Sequence, residues 1–268
     1  TEEWAKKVFP GISCEEAVSE LWDRILTASR VDRDDPEKAW HDHNESLRSK
    51  TEYLNSMQFA SLHYRSAGNG ITKGTDLTIK LPENHIWSGG AEKNAAGIFF
   101  NANMPTEEVF TAPQKDGIDG YVSSSLPFNC NGNLVENFVL YFESGKVVDM
   151  TAEKGLETLR ELLATDEGAS YIGEVALVPH DSPISNTNTI FFNTLFDENA
   201  SCHLAFGEAY PSCIKGGELM TEEELEKNGL NTSLIHNDFM IGFPDMDITA
   251  VTRSGETVQI FKNGNWAI

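Results

Sequence analysis

Seven histidines and 42 acidic residues offer many possible donors, and a few of them stand where polar groups are not expected. His236-Asn237-Asp238 lies in the run Leu234–Gly242, flanked by Ile235, Phe239 and Ile241. Such alternation predicts a strand, and on a strand residues i and i+2 share a face. His236 and Asp238 would then point together, as ligands of a borderline metal such as zinc or cobalt do. A polar strand face is the plainer explanation of the same two residues. Three further runs weigh against it. In Phe196–Gly207, a helix-like or irregular segment rich in small residues, Glu198 stands five residues before His203. In Pro105–Pro113, Glu107 and Glu108 sit between two prolines, just after Ile98-Phe99-Phe100, a run that reads as buried. In Gly173–Val178, Glu174 is a carboxylate inside an otherwise apolar strand. Burying a carboxylate without a partner is costly, so Glu174 requires a cation or a donor.

One answer serves all four: a carboxylate-rich site holding more than one divalent ion. Glu108, Glu174, Glu198, His203, His236 and Asp238 are too many donors for a single tetrahedral centre. Other motifs carry less. His41-Asp42-His43 falls in a helical pattern, where residues two apart are about 200° apart around the axis, so the rings diverge and a surface helix is expected. His63 sits in an alternating strand as a structural residue, and His85 and His180 follow turns without evident partners. No Gly-rich loop precedes a Lys-Ser/Thr pair, and neither a GxSxG elbow nor an HExxH helix occurs.

The elements that must position these residues change character along the chain. Thr1–Phe9 reads as a helix. Ser13-Cys14-Glu15-Glu16 is an N-cap with an acidic first turn, opening a helix with Val18, Leu21, Trp22 and Ile25 on its apolar stripe. Asp35-Pro36-Glu37 opens another that runs to about Met57. Strands are expected over 59–65, 75–81, 96–101, 120–125, 137–142, 146–150, 170–178, 234–242, 247–252 and 257–262, with an amphipathic helix over 153–164 and a hairpin turn at Arg253–Glu256. The fold class is therefore α+β: a mainly antiparallel sheet, partly barrel-like, with N-terminal helices and a few packed helices. Residues 1–57 form a helical lead-in and 58–268 a mixed α+β core.

Composition bounds the function classes. The 268 residues suit one large domain or two small ones. With 40% hydrophobic and 10% aromatic residues the chain is not disordered. Lys plus Arg is 20 against 42 for Asp plus Glu, a net charge of −22. That speaks against nucleic acid or an anionic membrane surface as the main partner. It suits divalent cations or cationic substrates, although surface carboxylate also serves plain solubility. The richest apolar stretches, such as Ala95–Phe100, have the length of strands, not of membrane spans. Cys14, Cys130, Cys202 and Cys213 form no CxxC pair, so reduced thiols in a cytoplasm are expected. No signal peptide is read, and the opening in a helix without Met suggests a start partway through a longer protein.

Four blocks carry a resemblance: NMPTEEVFTAP at Asn103–Pro113, GEVALV around Glu174, TLFDENASCHLAFGEAYP at Thr194–Pro211, and SLIHNDFMIG at Ser233–Gly242. Together they resemble the bacterial metalloaminopeptidases of the aminopeptidase T, aminopeptidase S and PepS family, over essentially the whole chain but without the family's additional N-terminal region. The resemblance implies an exopeptidase that releases N-terminal residues from peptides with a free N-terminus, using two divalent ions (zinc, cobalt, magnesium or manganese), and a homodimer. It places Glu108, His203, His236 and Asp238 as ligands, Glu174 as a bridge between the ions, Glu198 as a further ligand and Tyr210 at the active site. Two ions about 3.5–4 Å apart can share a water and lower its pKa, and a Tyr210 phenol can donate to the oxyanion. The general base stays unassigned, since Glu107 points away from Glu108 on an extended strand. Two other readings stand beside this one. The chain could be a non-catalytic cation-binding or scaffold domain, or a metal-dependent amidase or dipeptidase. Histidine ligands speak against a pure calcium site.

Overall fold

The computed structural model describes residues 1–130 and 132–268. Three helices come first: α1 (Glu2–Val8), α2 (Cys14–Ala28) and α3 (Pro36–Met57). Their starts are chemically marked. The Ser13 side chain accepts from Glu16 N–H while the Glu16 carboxylate caps Ser13 N–H, and Asp35 accepts from Lys38 N–H ahead of Pro36. The buried stripe of α2 is narrower than its pattern implies. Leu21 is buried but Trp22 is 58% exposed, because α2 packs on one side only, against α1, Ile184, Phe191 and Phe196.

The strands follow in chain order as β1 (Ser61–Ser66), β2 (Thr75–Lys80), β3 (Glu92–Lys93), β4 (Phe99–Phe100), β5 (Val109–Thr111), β6 (Ile118–Ser123), β7 (Phe128–Cys130) and β8 (Asn133–Val135). Then come β9 (Val139–Glu143), β10 (Lys146–Thr151), α4 (Leu156–Leu163), β11 (Ile172–Leu177), α5 (Thr194–Glu198), β12 (His203–Gly207) and α6 (Glu222–Lys227). The chain closes with β13 (His236–Met240), β14 (Asp247–Val251), β15 (Thr257–Lys262) and β16 (Asn265–Trp266).

An eight-stranded sheet has the order β10-β9-β6-β2-β1-β14-β15-β16, and a four-stranded sheet the order β13-β12-β11-β5. Their pairings are antiparallel throughout, so the class is α+β as expected. The barrel-like part is a correction: neither sheet closes on itself. The strands are divided between two layers, and one apolar cluster joins Leu62, Tyr64, Leu77 and Ile248 of the large sheet to Val175, Leu204, Phe206 and Phe239 of the small one. Leu47 and Leu54 of α3 belong to the same cluster.

The run Ile98–Phe100 is a second correction. Only Phe99–Phe100 pairs, in a hairpin with β3, and Ile98 and Phe99 are 62% and 65% exposed. Apolar composition alone does not bury a two-residue strand that lies outside both main sheets. Among the described residues, no helix is long and apolar enough to cross a membrane.

Candidate metal centre

The site is built on one face of the four-stranded sheet. Register explains how. Glu174 of β11 lies opposite Ala205 of β12, and Ala205 lies opposite Asp238 of β13. One row thus reads carboxylate, methyl, carboxylate, and the small central side chain leaves the two acids room to converge. His203 is two residues from Ala205, and His236 is two from Asp238, so both histidines share that face. On the edge strand Phe110 pairs with Ala176, which puts Glu108 on the same side. The opposite face, with Val175, Leu177, Leu204, Phe206 and Phe239, is fully buried in the core.

Local backbone chemistry aims the groups. The register shifts between Ile172 and Glu174, a bulge of the kind that redirects a side chain. Gly173 permits the close approach there, since a Cβ would stand 2.2 Å from the Glu208 carbonyl oxygen. Nδ1 of His203 faces the Ser201 carbonyl at 3.0 Å, and Nδ1 of His236 faces the Glu208 carbonyl at 2.7 Å. Each Nδ1–H therefore donates to backbone, and each Nε2 is turned toward the acids, the arrangement found in metal-binding histidines.

Two triads bring one donor atom per residue within 4.8 Å of one another: Glu108, Glu174 and His203, and Glu174, His236 and Asp238. Glu174 belongs to both, and its two oxygens face different histidines. Oε1 is 3.4 Å from His203 Nε2 and Oε2 is 3.7 Å from His236 Nε2. Glu108 Oε2 is 3.1 Å from His203 Nε2. Glu198, at the end of α5, lies outside both triads, with its carboxyl against Asp238. Tyr210 follows β12, its ring 4.7 Å from that of His236. All seven residues line one cavity of about 930 Å³, whose far wall includes Asn44, Arg48 and Thr51 of α3.

The electrostatics are those of acids crowded out of water. Burial, then the charges of Glu108 and Asp238, push Glu174 above the usual carboxylate range. Burial raises Glu198 to about 9, with the charges of Asp238, Glu108 and Glu174 adding to it. Burial opposes charge on the two histidines, yet hydrogen bonds accepted by Glu108 and Glu174 hold His203 well above its ordinary value. The adjacent Asp238 carboxylate raises His236 to about 9 against its burial. Burial and the four nearby acids push the Tyr210 phenol up to about 12. Asp238 Oδ1 is buried and makes no hydrogen bond, although His236 Nε2 is 3.5 Å away. Mixed nitrogen and oxygen donors, acids in excess of bases and an orphaned carboxylate oxygen fit a divalent metal.

His43 corrects an expectation. It is not a surface residue of α3. Its side chain is 12% exposed and contacts Arg30, Thr106 and Glu107. Glu107 itself is turned away from the cavity, onto Arg30. Period-3.6 reasoning rightly separates the two rings of His41 and His43, but it does not say which neighbour will cover one of them. His85, given no partner by the sequence, is buried with Nδ1 2.9 Å from the Pro82 carbonyl.

Comparison with known proteins follows this geometry. The sequence pattern of the family described as Thermophilic metalloprotease (M29) matches residues 1–266. The chain is 56% identical over 264 residues to Aminopeptidase AmpS of Bacillus subtilis (strain 168), covering 98% of this chain and 63% of that protein. It is 50% identical over 267 residues to Aminopeptidase 2 of Geobacillus stearothermophilus, covering 100% of this chain and 63% of that protein. Among solved structures, wild-type AmpT from Thermus thermophilus matches with a TM-score of 0.91 at 45% identity, covering 100% of this chain and 63% of that one. The chain thus spans 63% of the length of the curated relatives it matches.

Proposed function

The chain belongs to the thermophilic metalloprotease family M29, and on that premise we propose that it is a metal-dependent aminopeptidase releasing N-terminal residues from peptides. The observation that carries the reading is the pair of triads sharing Glu174 inside one cavity. Glu108, Glu174 and His203 would hold one divalent ion, and Glu174, His236 and Asp238 a second. Zinc, cobalt, magnesium and manganese all accept such donors. Bound there, the ions supply Lewis acidity that polarises a peptide carbonyl and lowers the pKa of a water.

The protein's own groups do the rest. Excess carboxylate lining the cavity attracts a protonated α-amine and disfavours an acylated one, which restricts cleavage to the first peptide bond. Tyr210, whose phenol stays protonated up to about 12, donates a hydrogen bond to the oxygen that gains charge in the transition state. Glu198, outside both triads, is kept protonated by burial and the neighbouring acids in the metal-free site; with cations offsetting those acids its carboxylate would be free to take a proton from water and return it to the leaving amine. The Nδ1–H bonds to backbone keep both imidazoles from rotating during the cycle.

The same reading includes a homodimer and a reducing, cytoplasmic setting. The exposed apolar group of Ile98, Phe99, Phe100 and Met104 supports the first, and four free cysteines support the second. Light scattering over micromolar concentrations tests the dimer, and a monomer throughout would remove it. The activity is tested by metal content together with amino-acid release from an aminoacyl reporter and from its N-acetylated form. Equal cleavage of both reporters would favour an amidase. Metal binding without cleavage of either would leave a cation-binding domain.

A further inference from the structure

Glu107 is a buried carboxylate that the proposed chemistry does not use. It is the immediate neighbour of Glu108 on the extended segment entering β5, and the two side chains leave that segment on opposite sides. Glu108 reaches His203, while Glu107 is 3% exposed behind it. There the guanidinium of Arg30 grips both carboxylate oxygens, Nη1 to Oε1 at 2.5 Å and Nη2 to Oε2 at 2.9 Å. Nη2 also donates to Nδ1 of His43 at 3.1 Å, and His43 Nε2–H donates to the Thr106 carbonyl at 2.7 Å. One arginine therefore holds the side chain of residue 107 directly and the backbone of residue 106 through His43.

The network continues to a second part of the site. The Glu107 N–H donates to Asn199 Oδ1 at 2.7 Å. Asn199 is fully buried and directly follows Glu198, and its Nδ2 donates to the Leu195 carbonyl inside α5. Arg30, His43, Glu107 and Asn199 thus tie the end of α2 and the middle of α3 to the two segments that present Glu108 and Glu198.

Stability alone does not explain this arrangement. A buried ion pair recovers little beyond its desolvation cost, and an apolar pair of similar volume commonly serves as well or better. Arg30 also adopts a left-handed backbone, φ 58°, a region that non-glycine residues rarely occupy and that is often retained where function requires it. What the planar fork supplies is orientation: two parallel hydrogen bonds fix a carboxylate in both position and rotation, which a lysine cannot do.

We propose that Arg30 is a positioning residue of the metal centre, which acts through Glu107 to hold the Glu108 carboxylate, and through Asn199 the Glu198 segment, in the arrangement a divalent ion requires. The inference rests on reading the cavity as a metal centre. It makes the helical lead-in, residues 1–57, part of the same working unit as the core. Four acids facing one cavity repel one another, and the clamp lets two of them stay in place before the ion arrives.

The test is calorimetric titration of metal-stripped protein with cobalt(II) chloride. The parent, Arg30→Lys, the double variant Arg30→Met/Glu107→Met and His203→Ala are compared, with circular dichroism and thermal unfolding of each. Arg30→Lys keeps the buried charge but loses the fork. It should retain the parental fold and melting temperature while binding cobalt about 10–100-fold more weakly, the usual cost of losing an outer-shell partner. The double variant should match or exceed the parent in stability yet show the same loss. The visible spectrum of cobalt-loaded Arg30→Lys should differ from that of the parent, because the ligand geometry differs. Cobalt affinity within about twofold of the parent in Arg30→Lys, well short of that outer-shell cost, would overturn the proposal whatever happens to the double variant. If the parent binds no better than His203→Ala, the metal-centre reading fails first and the clamp with it.

Discussion

The two main sheets of this protein bury different things. In the eight-stranded sheet β1 and β2 alternate buried and partly exposed positions, and the inward residues, Leu62, Tyr64, Leu77 and Ile79, are apolar or aromatic. In the four-stranded sheet β11 and β12 are buried at every position, yet they carry Glu174 and His203. The first sheet has one face on the core and one toward water. The second has one face on the core and one on a cavity, so its polar residues are largely withdrawn from water. The small sheet therefore holds its charges at a cost in stability, and an ion is the natural compensation.

Breaking the small sheet's chemistry should have the largest effect. His203→Ala removes a donor from the triad with Glu108 and Glu174. Metal analysis and the aminoacyl assay should both fall to background, while an unchanged metal content would show that His203 is not a ligand. Tyr210→Phe comes next. Turnover should drop by about 10²–10³-fold with metal content unchanged, since a phenol donor acts in the transition state. Parental turnover at saturating metal would leave the oxyanion without Tyr210.

The large sheet should respond in the opposite way. Leu77→Ala, at a fully buried position of β2, should cost about 2–5 kcal/mol in urea unfolding. Cobalt affinity at a temperature where the variant is folded should stay parental. A matching loss of affinity would mean that the two sheets are not separable. Glu174→Leu sharpens the contrast further. It should raise the stability of the metal-free protein, because burial and the charges of Glu108 and Asp238 disfavour a carboxylate at that position, while abolishing metal binding. A lower melting temperature without metal would contradict the idea that the site costs stability.

The smallest effect concerns pH. His236 and Glu198 titrate near 9 in the protein alone, above the ordinary values of about 6.5 and about 4.3 that unfolded chains show. Between pH 6.5 and 9 the folded state therefore holds protons that the unfolded state has released. Stability gained from those protons is full below the unfolded pKa of each group and is lost as pH rises through the folded one. The melting temperature of metal-free protein should decline across this window. Metal binding displaces the same protons, so cobalt affinity should rise over it. Titration in buffers of different ionisation enthalpy reads the proton release, and a flat profile would mean that these groups are not displaced.

Much of the site was legible because its signals are local. His236 and Asp238 share a strand, and a period of two places them together without reference to anything else. Glu174 stood out because β11 is otherwise apolar. The Ser13 N-cap, Pro36 and the α3 boundary at Met57 are equally visible, each set by contacts within a few residues. Where the reading failed, a distant surface made the decision. Ile98–Phe100 looks like core but joins neither main sheet, Trp22 lies on an uncovered side of α2, and His43 is covered only because Glu107 and Arg30 meet it there.

By itself, then, the sequence determined which residue types could bind metal, which of them share a strand face and which family the four blocks resemble, since these follow from covalent spacing and side-chain chemistry. Folding alone puts Ala205 between Glu174 and Asp238, turns the two oxygens of Glu174 to different histidines, and brings Arg30 onto Glu107 across 77 positions of chain. Those arrangements depend on strand register and on the burial of one surface against another, and no local period encodes either.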